Sequence, residues 1–269
     1  MLPNFLIVGA ARSGTTSLYN QIKRHPDIYV APEKEPTFFS ENGEGKWHLG
    51  LDWYERLFKG WNGETAVGEA STSYTKAPVY GDAPAKIHEV IPDARLIYIL
   101  RDPMAQIVSH YRHMVYFYGL RHSLDNALMN SSFLLDVASY GYQLKNCLGY
   151  FPLEKILVIQ FEEYIADPVG WSKGVFRFLE VDDSVSLPLG KADNTSHGWR
   201  IQRWPAIQKR LKGWRRLPKV LQWVLTKPLP KPSMSKSSYE RVMGVIGPDL
   251  DELKKLVELD YGLWQLTPP

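Results

Sequence analysis

A short apolar run, Asn4 to Val8, passes directly into Gly9-Ala10-Ala11-Arg12-Ser13-Gly14-Thr15-Thr16 and then into a helix-forming stretch from Ser17 to Arg24. This order constrains the chain more than any other feature. A buried strand that turns through glycines into a helix presents free N–H groups and the positive end of the helix dipole to an anion. Gly9 and Gly14 permit backbone geometry that other residues resist. Ser13, Thr15 and Thr16 add hydroxyl donors, and Pro26 closes the helix. The loop is not a Walker A motif, which places Gly-Lys-[Ser/Thr] after four spacers. Gly14 is followed by Thr15, and the cation of the loop is Arg12, two residues before that glycine.

The rest of the chain repeats the alternation of strand and helix. Strands are predicted at Thr65–Glu69, Arg95–Leu100 and Lys155–Gln160, and helices at Pro84–Val90, after Asp102-Pro103, at Phe133–Tyr150, at Trp171–Leu179 and at Tyr239–Tyr261. Asp102 suits an N-cap and Pro103 the first helical position. Residues 27–62 are loop-rich, with one helical piece near Asp52 to Phe58. The fold class is therefore α/β: three layers, with a mostly parallel central sheet. At 269 residues and 44% hydrophobic content a single domain is expected, with its core at about residues 4–205.

Composition narrows the function classes. With Cys147 as the single cysteine, no intrachain disulfide and no thiolate zinc cluster can form. No His/Cys/carboxylate group has metal-ligand spacing, so no metal is expected. Phe5 to Val8 is too short for a signal-peptide core, and no run approaches the ~20 apolar residues of a membrane span. A soluble, cytoplasmic protein is the expectation.

Net charge is only +3, yet no Asp or Glu occurs from Asn194 to Tyr239, where eleven basic residues fall between Arg200 and Lys236. Such a block attracts an acidic polymer or an anionic membrane surface; no specific nucleic acid is expected. Trp199, Trp204, Trp214 and Trp223 are interleaved with it, which suits sugar stacking, a membrane surface or plain packing.

The loop Gly9 to Tyr19 resembles the 5′-phosphosulfate loop of sulfotransferases that use 3′-phosphoadenosine 5′-phosphosulfate (PAPS), in particular the heparan-sulfate-like branch and its bacterial relatives. Lys34-Glu35-Pro36-Thr37-Phe38-Phe39 resembles that family's Glu-x-x-Phe-Phe segment, and Leu51-Asp52-Trp53-Tyr54 the Trp-Tyr element after it. Arg101-Asp102-Pro103 with Ser109 resembles the 3′-phosphate site. Phe161 to Pro168 with Phe178-Leu179 resembles the late strand-loop-helix, and Asn194-Thr195-Ser196 with Arg200 the C-terminal cofactor loop.

The resemblance implies a PAPS co-substrate held by Arg12, Ser13, Gly14, Thr15, Thr16, Arg101, Ser109 and Arg200. It makes Arg12 the electrostatic catalyst and Glu35 the general base for a hydroxyl or amine acceptor, a carbohydrate or small metabolite. Pro36 is expected to hold Glu35 in extended geometry. Two positions depart from the family: Arg12 stands where lysine is usual, and Ala70, within Glu69-Ala-Ser-Thr-Ser-Tyr74, stands where a second lysine belongs. Arg12 is left without an obvious partner cation, and His48, His110 and His113 are the candidates to compensate. Two other readings stay open: a P-loop kinase of nucleosides or small molecules, and a catalytically inactive nucleotide-binding protein.

Overall fold

The computed structural model describes residues 1–43, 45–187, 200–202, 226–228 and 232–269. Five strands, β1 (Phe5–Gly9), β2 (Ile28–Val30), β3 (Ala66–Ala70), β4 (Arg95–Leu100) and β5 (Ile156–Gln160), form one sheet in the order β2-β3-β1-β4-β5. All four pairings are parallel. Strands of such a sheet are buried on both faces, which is why β1 and β4 read as unbroken apolar runs.

Alternate residues sort onto two layers. Phe5, Ile7, Ile97, Ile99 and Ile159 cluster with Leu18 and Ile22 of α1 (Thr15–Ile22) and with Val175 and Phe176 of α9 (Pro168–Phe178). Leu6, Val8, Leu96, Tyr98 and Leu100 cluster with Ile87 of α3 (Ala83–Val90), Leu144 of α7 (Tyr140–Leu148) and Val242, Ile246 and Leu253 of α10 (Lys236–Leu256). The layering is the expected one. Both Asp-Pro pairs open helices: Asp102 accepts from the Ala105 N–H at 3.0 Å to start α4 (Pro103–Phe117), and Asp167 from the Gly170 N–H at 2.9 Å to start α9. Between α9 and α10, Arg200–Gln202 pairs antiparallel with Thr226–Pro228.

Three local features differ from the sequence expectation. The predicted helix Phe133–Tyr150 is two helices, α6 (Phe133–Ala138) and α7, broken at Ser139. The break frees N–H groups at the start of α7, and the Asp249 carboxylate caps those of Gly141 and Tyr142 at 2.8 Å each from a position over a hundred residues away. Strand β2 is only three residues long, too short to show alternation. Helix α10 begins earlier than Tyr239, because Ser235 caps it at the Ser238 N–H (3.2 Å), and ends at Leu256.

The connection from β1 leads to one side of the sheet and that from β3 crosses to the other. The C-terminal end of β1, between β3 and β4, is thus the topological switch point, where ligands of open α/β sheets bind.

Candidate active site

A cavity of about 1000 Å³ opens at this switch point, lined by the β1–α1 loop, the Glu35 loop, the segment after β3, and α4. Gly9 closes β1 where a Cβ would collide with Thr75 Oγ1, whose hydroxyl donates to the Val8 carbonyl at 2.9 Å. Gly14 sits at φ 90° and caps α1 with no side-chain oxygen, so the first N–H groups of the helix remain for a ligand. Gly14, Thr15, Thr16 and Ser17 line the cavity beside them. Ser13 is turned the other way, fully buried and outside the lining, with its backbone N–H donated to the Ala10 carbonyl at 3.2 Å.

Arg12, Arg101 and Ser109 meet at one corner. Arg12, at φ 67°, donates from Nε to Ser109 Oγ at 3.3 Å, and Arg101 donates from Nη1 to the Arg12 carbonyl at 3.1 Å. The Arg101 guanidinium lies 4.9 Å from the centre of the Phe161 ring, a cation–π contact that fixes its plane. Burial, and then the Arg101 charge, bring the Arg12 guanidinium down to about 10. Arg12 stays charged at neutral pH, and two guanidinium groups held together are a standing attraction for an anion.

Glu35 faces the same cavity. Its backbone is at φ 58°, not in the extended geometry expected from Pro36. The Glu35 N–H donates to the Ala70 carbonyl at 2.9 Å, and its carboxylate accepts from the Thr72 N–H at 2.8 Å and the Thr72 hydroxyl at 3.2 Å. Those bonds to the exit of β3 outweigh the local preference. Lys34 pairs with the other carboxylate oxygen at 2.9 Å. Behind them, Glu69 is wholly buried and accepts hydroxyl bonds from Tyr74 (2.6 Å), Ser71 (2.9 Å) and Tyr54 (3.3 Å). Burial raises the Glu69 carboxyl to about 7 despite those donors.

Among the described lining residues Arg12, Lys34, Lys76, Arg101 and Arg112 are cationic and Glu35 alone is acidic. Lys76 therefore lies where the sequence showed no partner cation. It follows the 3₁₀ turn Thr72–Thr75, six residues past the alanine that departs from the family. Of the histidines, His48 is exposed and outside the cavity, while His110 and His113 line it. Burial, then neighbouring positive charge from Lys76, holds His110 well below its ordinary value; burial, then Arg12, brings His113 to about 4. Arg200 lies in the short strand Arg200–Gln202. Asn194 to Ser196 and most of the basic block lie outside the described residues.

A model described as the sulfotransferase family matches residues 51–184. The chain is 30% identical over 190 residues to heparan sulfate glucosamine 3-O-sulfotransferase 3B1 of Mus musculus, covering 66% of this chain and 46% of that protein. It is 31% identical over 193 residues to heparan sulfate glucosamine 3-O-sulfotransferase 6 of Homo sapiens, covering 66% and 52%. This chain belongs to the sulfotransferase family. It spans about half the length of the curated relatives it matches. A solved sulfotransferase from Alicyclobacillus acidocaldarius aligns with 98% of this chain and 99% of its own, at a TM-score of 0.73 and 28% identity.

In this sulfotransferase-family chain several supporting residues carry no sequence signal. Gln106, buried on α4, donates to the Ala11 carbonyl at 2.9 Å and so ties the anion loop to the helix bearing Ser109. Glu162, at the start of α8 (Phe161–Ala166), accepts from the Asp102 N–H and from Trp264 Nε1, both at 3.0 Å. The free oxygen of Asp102 accepts from the Gln265 and Leu266 N–H groups at 2.8 and 3.0 Å. Gln160 exchanges two bonds with the Asp260 backbone, at 2.8 and 3.0 Å. The C-terminal segment is thereby strapped across the turn that aims Arg101. Asp102 and Glu162 fall in segments singled out by motif; Gln106, Gln160 and the residues from Asp260 to Leu266 do not.

Among the described residues no three His, Cys, Asp or Glu side chains group as metal ligands, and no helix is long and apolar enough to cross a membrane.

Proposed function

We propose that the chain transfers a sulfuryl group from PAPS to a hydroxyl or amine of a carbohydrate or small-molecule acceptor. The observation that carries this reading is the paired guanidinium corner with Ser109, placed beside an uncapped helix N-terminus and across one cavity from Glu35. The residues suit the co-substrate. The first N–H groups of α1, with Thr15 and Thr16, would hold the 5′-phosphosulfate, and Gly14 keeps clear a place where a Cβ would lie 2.9 Å from the Phe161 ring. Arg101 and Ser109 would hold the 3′-phosphate, each charge-assisted contact contributing about 1.5–3 kcal/mol. Arg200 would add a contact from the C-terminal side, and Ser13 acts through its backbone place in the loop.

When bound, PAPS supplies the sulfuryl group: the acceptor oxygen or nitrogen bonds to sulfur as the S–O bond to adenosine 3′,5′-bisphosphate breaks in line. Transfer of this kind needs alignment and charge stabilisation more than covalent catalysis. Arg12 stabilises the charge growing on the sulfonate and bridging oxygens, with Lys76 as the second cation of the same cavity. Glu35 accepts the acceptor's proton, its carboxylate held by Thr72 and by Lys34. No metal is assigned a part.

The kinase reading lacks its phosphate-loop lysine and gives no work to the Arg101–Ser109 pair. We also assign the basic block from Arg200 to Lys236 to an acidic polymer or an anionic membrane surface, and the protein to a cytoplasmic setting. The single cysteine, free and buried, supports that setting. The test is turnover of ³⁵S-labelled PAPS over a panel of sugars, amines, alcohols and phenols. Label transfer to any acceptor supports the reading; bound bisphosphate with no transfer to any of them supports an inactive nucleotide-binding protein.

A further inference from the structure

Glu69 is a buried carboxylate with no part in the mechanism above. It is the fourth of the five residues of β3, wholly buried, and its register partner on β1 is Leu6. Among the described residues no cation forms an ion pair with it. A carboxylate taken out of water costs free energy unless donors satisfy it. Three hydroxyls do so: Tyr74 at 2.6 Å, Ser71 at 2.9 Å and Tyr54 at 3.3 Å. They come from three places, Tyr54 from α2 (Leu51–Arg56), Ser71 from the exit of β3, and Tyr74 from the 3₁₀ turn after it. An apolar side chain of similar volume would avoid the desolvation cost, so packing alone does not account for Glu69.

The loop that carries Glu35 is built onto the same three residues. The Ser71 hydroxyl, which donates to Glu69, accepts the Thr37 N–H at 2.9 Å. Phe38 stacks on Tyr54 with ring centres 4.4 Å apart, and Phe39 meets Tyr54 and Tyr74 edge-on at 5.1 and 5.6 Å. Thr37 and Glu35 both sit at positive φ, 55° and 58°. Such backbone is strained in residues other than glycine, and it persists only where the surroundings over-determine it. Glu35 is fixed by the Ala70 carbonyl and the Thr72 N–H, and Thr37 by Ser71. Glu69 takes the Ser71 proton, which commits the hydroxyl's direction and leaves its lone pairs to Thr37.

We propose that Glu69 is a positioning residue for the general base: it holds Ser71, and through Ser71 the positive-φ backbone at Thr37, so that the Glu35 carboxylate stays at the cavity face. The proposal rests on the sulfuryl-transfer reading above. Glu69 does not line the cavity, and none of its bonds goes to Arg12, Arg101 or Ser109. Its loss should therefore tell on turnover and spare the co-substrate. Without it the Ser71 hydroxyl is free to turn, and the loop relaxes toward the extended geometry that Pro36 favours. A reacting group displaced by about 1 Å can cost about 100-fold in rate.

The experiment compares the full-length wild type with Glu69→Gln, Glu35→Gln and the double variant. Turnover of ³⁵S-labelled PAPS is followed on whichever member of the panel above takes label fastest, and adenosine 3′,5′-bisphosphate binding is measured by calorimetry. Glu69→Gln should lower kcat about 10- to 100-fold per bisphosphate-binding site, with KM for PAPS and bisphosphate affinity unchanged. In the Glu35→Gln background the same substitution should lower kcat no further, because Glu69 acts through the group already removed. Ser71→Ala keeps Glu69 and removes the bridge to Thr37; it should show the same split, and it carries the test if Glu69→Gln does not fold. A variant with lowered Tm but wild-type kcat per binding site overturns the proposal and leaves sulfuryl transfer standing. Losses that multiply in the double variant also overturn it, as does a Glu35→Gln enzyme of wild-type rate. A wild type that binds no bisphosphate and transfers no label overturns sulfuryl transfer and the proposal with it.

Discussion

The phosphate corner and the cavity wall that continues beyond Ser109, through His110, His113 and Phe117, share α4 but are held differently. At the corner, backbone carbonyls of the anion loop are gripped by side chains: Gln106 on Ala11 and Arg101 on Arg12. The turn bearing Arg101 is in turn fixed by Asp102, Glu162 and the C-terminal strap. Along the wall, ring contacts join His110 to His113 and His113 to Phe117, and exposure climbs to 59% at Phe117 and 68% at Tyr118. Directional bonds define one geometry, which suits a co-substrate that never changes. Ring packing defines a shape that substitution can redraw without disturbing the corner, which suits an acceptor that differs from one family member to another.

The largest effect should come from the group on which both regions converge. Glu35→Gln keeps the shape of the side chain and loses the proton acceptor, so kcat should fall about 10²–10⁴-fold with bisphosphate affinity unchanged. Steady-state kinetics beside calorimetry separates the two readouts. Next comes the corner itself. Arg101→Ala should weaken adenosine 3′,5′-bisphosphate about 10- to 100-fold, the equivalent of one lost charge-assisted contact. AMP, which has no 3′-phosphate, should lose far less; equal losses would remove Arg101 from the 3′-phosphate site.

The strap predicts a smaller effect of a different kind. Glu162→Ala leaves the Asp102 N–H and Trp264 Nε1 without their acceptor, costing about 1–3 kcal/mol of stability. Its kinetic signature should be a several-fold rise in KM for PAPS with little change in kcat, since Arg101 is misaimed but present. A change in kcat alone would mean that Glu162 does not act through the co-substrate site.

The smallest effect concerns the wall. The folded value of His113, about 4, lies below the ordinary value of 6.5. The unfolded chain therefore gains its proton first as pH falls, and stability is lost from about pH 6.5 down to pH 4. His110 acts in the same direction, whereas Glu69, raised to about 7, favours the folded state as pH falls through that value. His113→Phe should shrink the drop in Tm between pH 7 and pH 5, measured by thermal melts. An unchanged drop would show that His113 is not neutral in its folded surroundings.

What was legible in the sequence was local. The strand, loop and helix from Phe5 to Ile22 announce themselves in consecutive residues, and so do the Asp102-Pro103 cap and the strand that delivers Arg101, whereas the Asp167-Pro168 cap starts its helix three residues before the predicted Trp171. What was hidden is carried by contacts across long separations. Asp249 divides a predicted helix from 107 and 108 residues away, and the strap reaches Asp102 across 163 and 164. Lys76 was missed because it enters the cavity from beyond a 3₁₀ turn rather than at the position next to Glu69. Glu35 lines the cavity, but not in the extended geometry expected of it. Pro36 argues for an extended residue, and two bonds to the end of β3 prevail.

The central claim is that the cavity is built for a nucleotide carrying a 3′-phosphate. It is tested most directly by titrating the wild-type chain calorimetrically with adenosine 3′,5′-bisphosphate and with ADP, each with and without magnesium. The structure predicts bisphosphate binding roughly tenfold or more tighter than ADP, with magnesium making no difference. Magnesium-dependent binding of ADP at equal or higher affinity would contradict it.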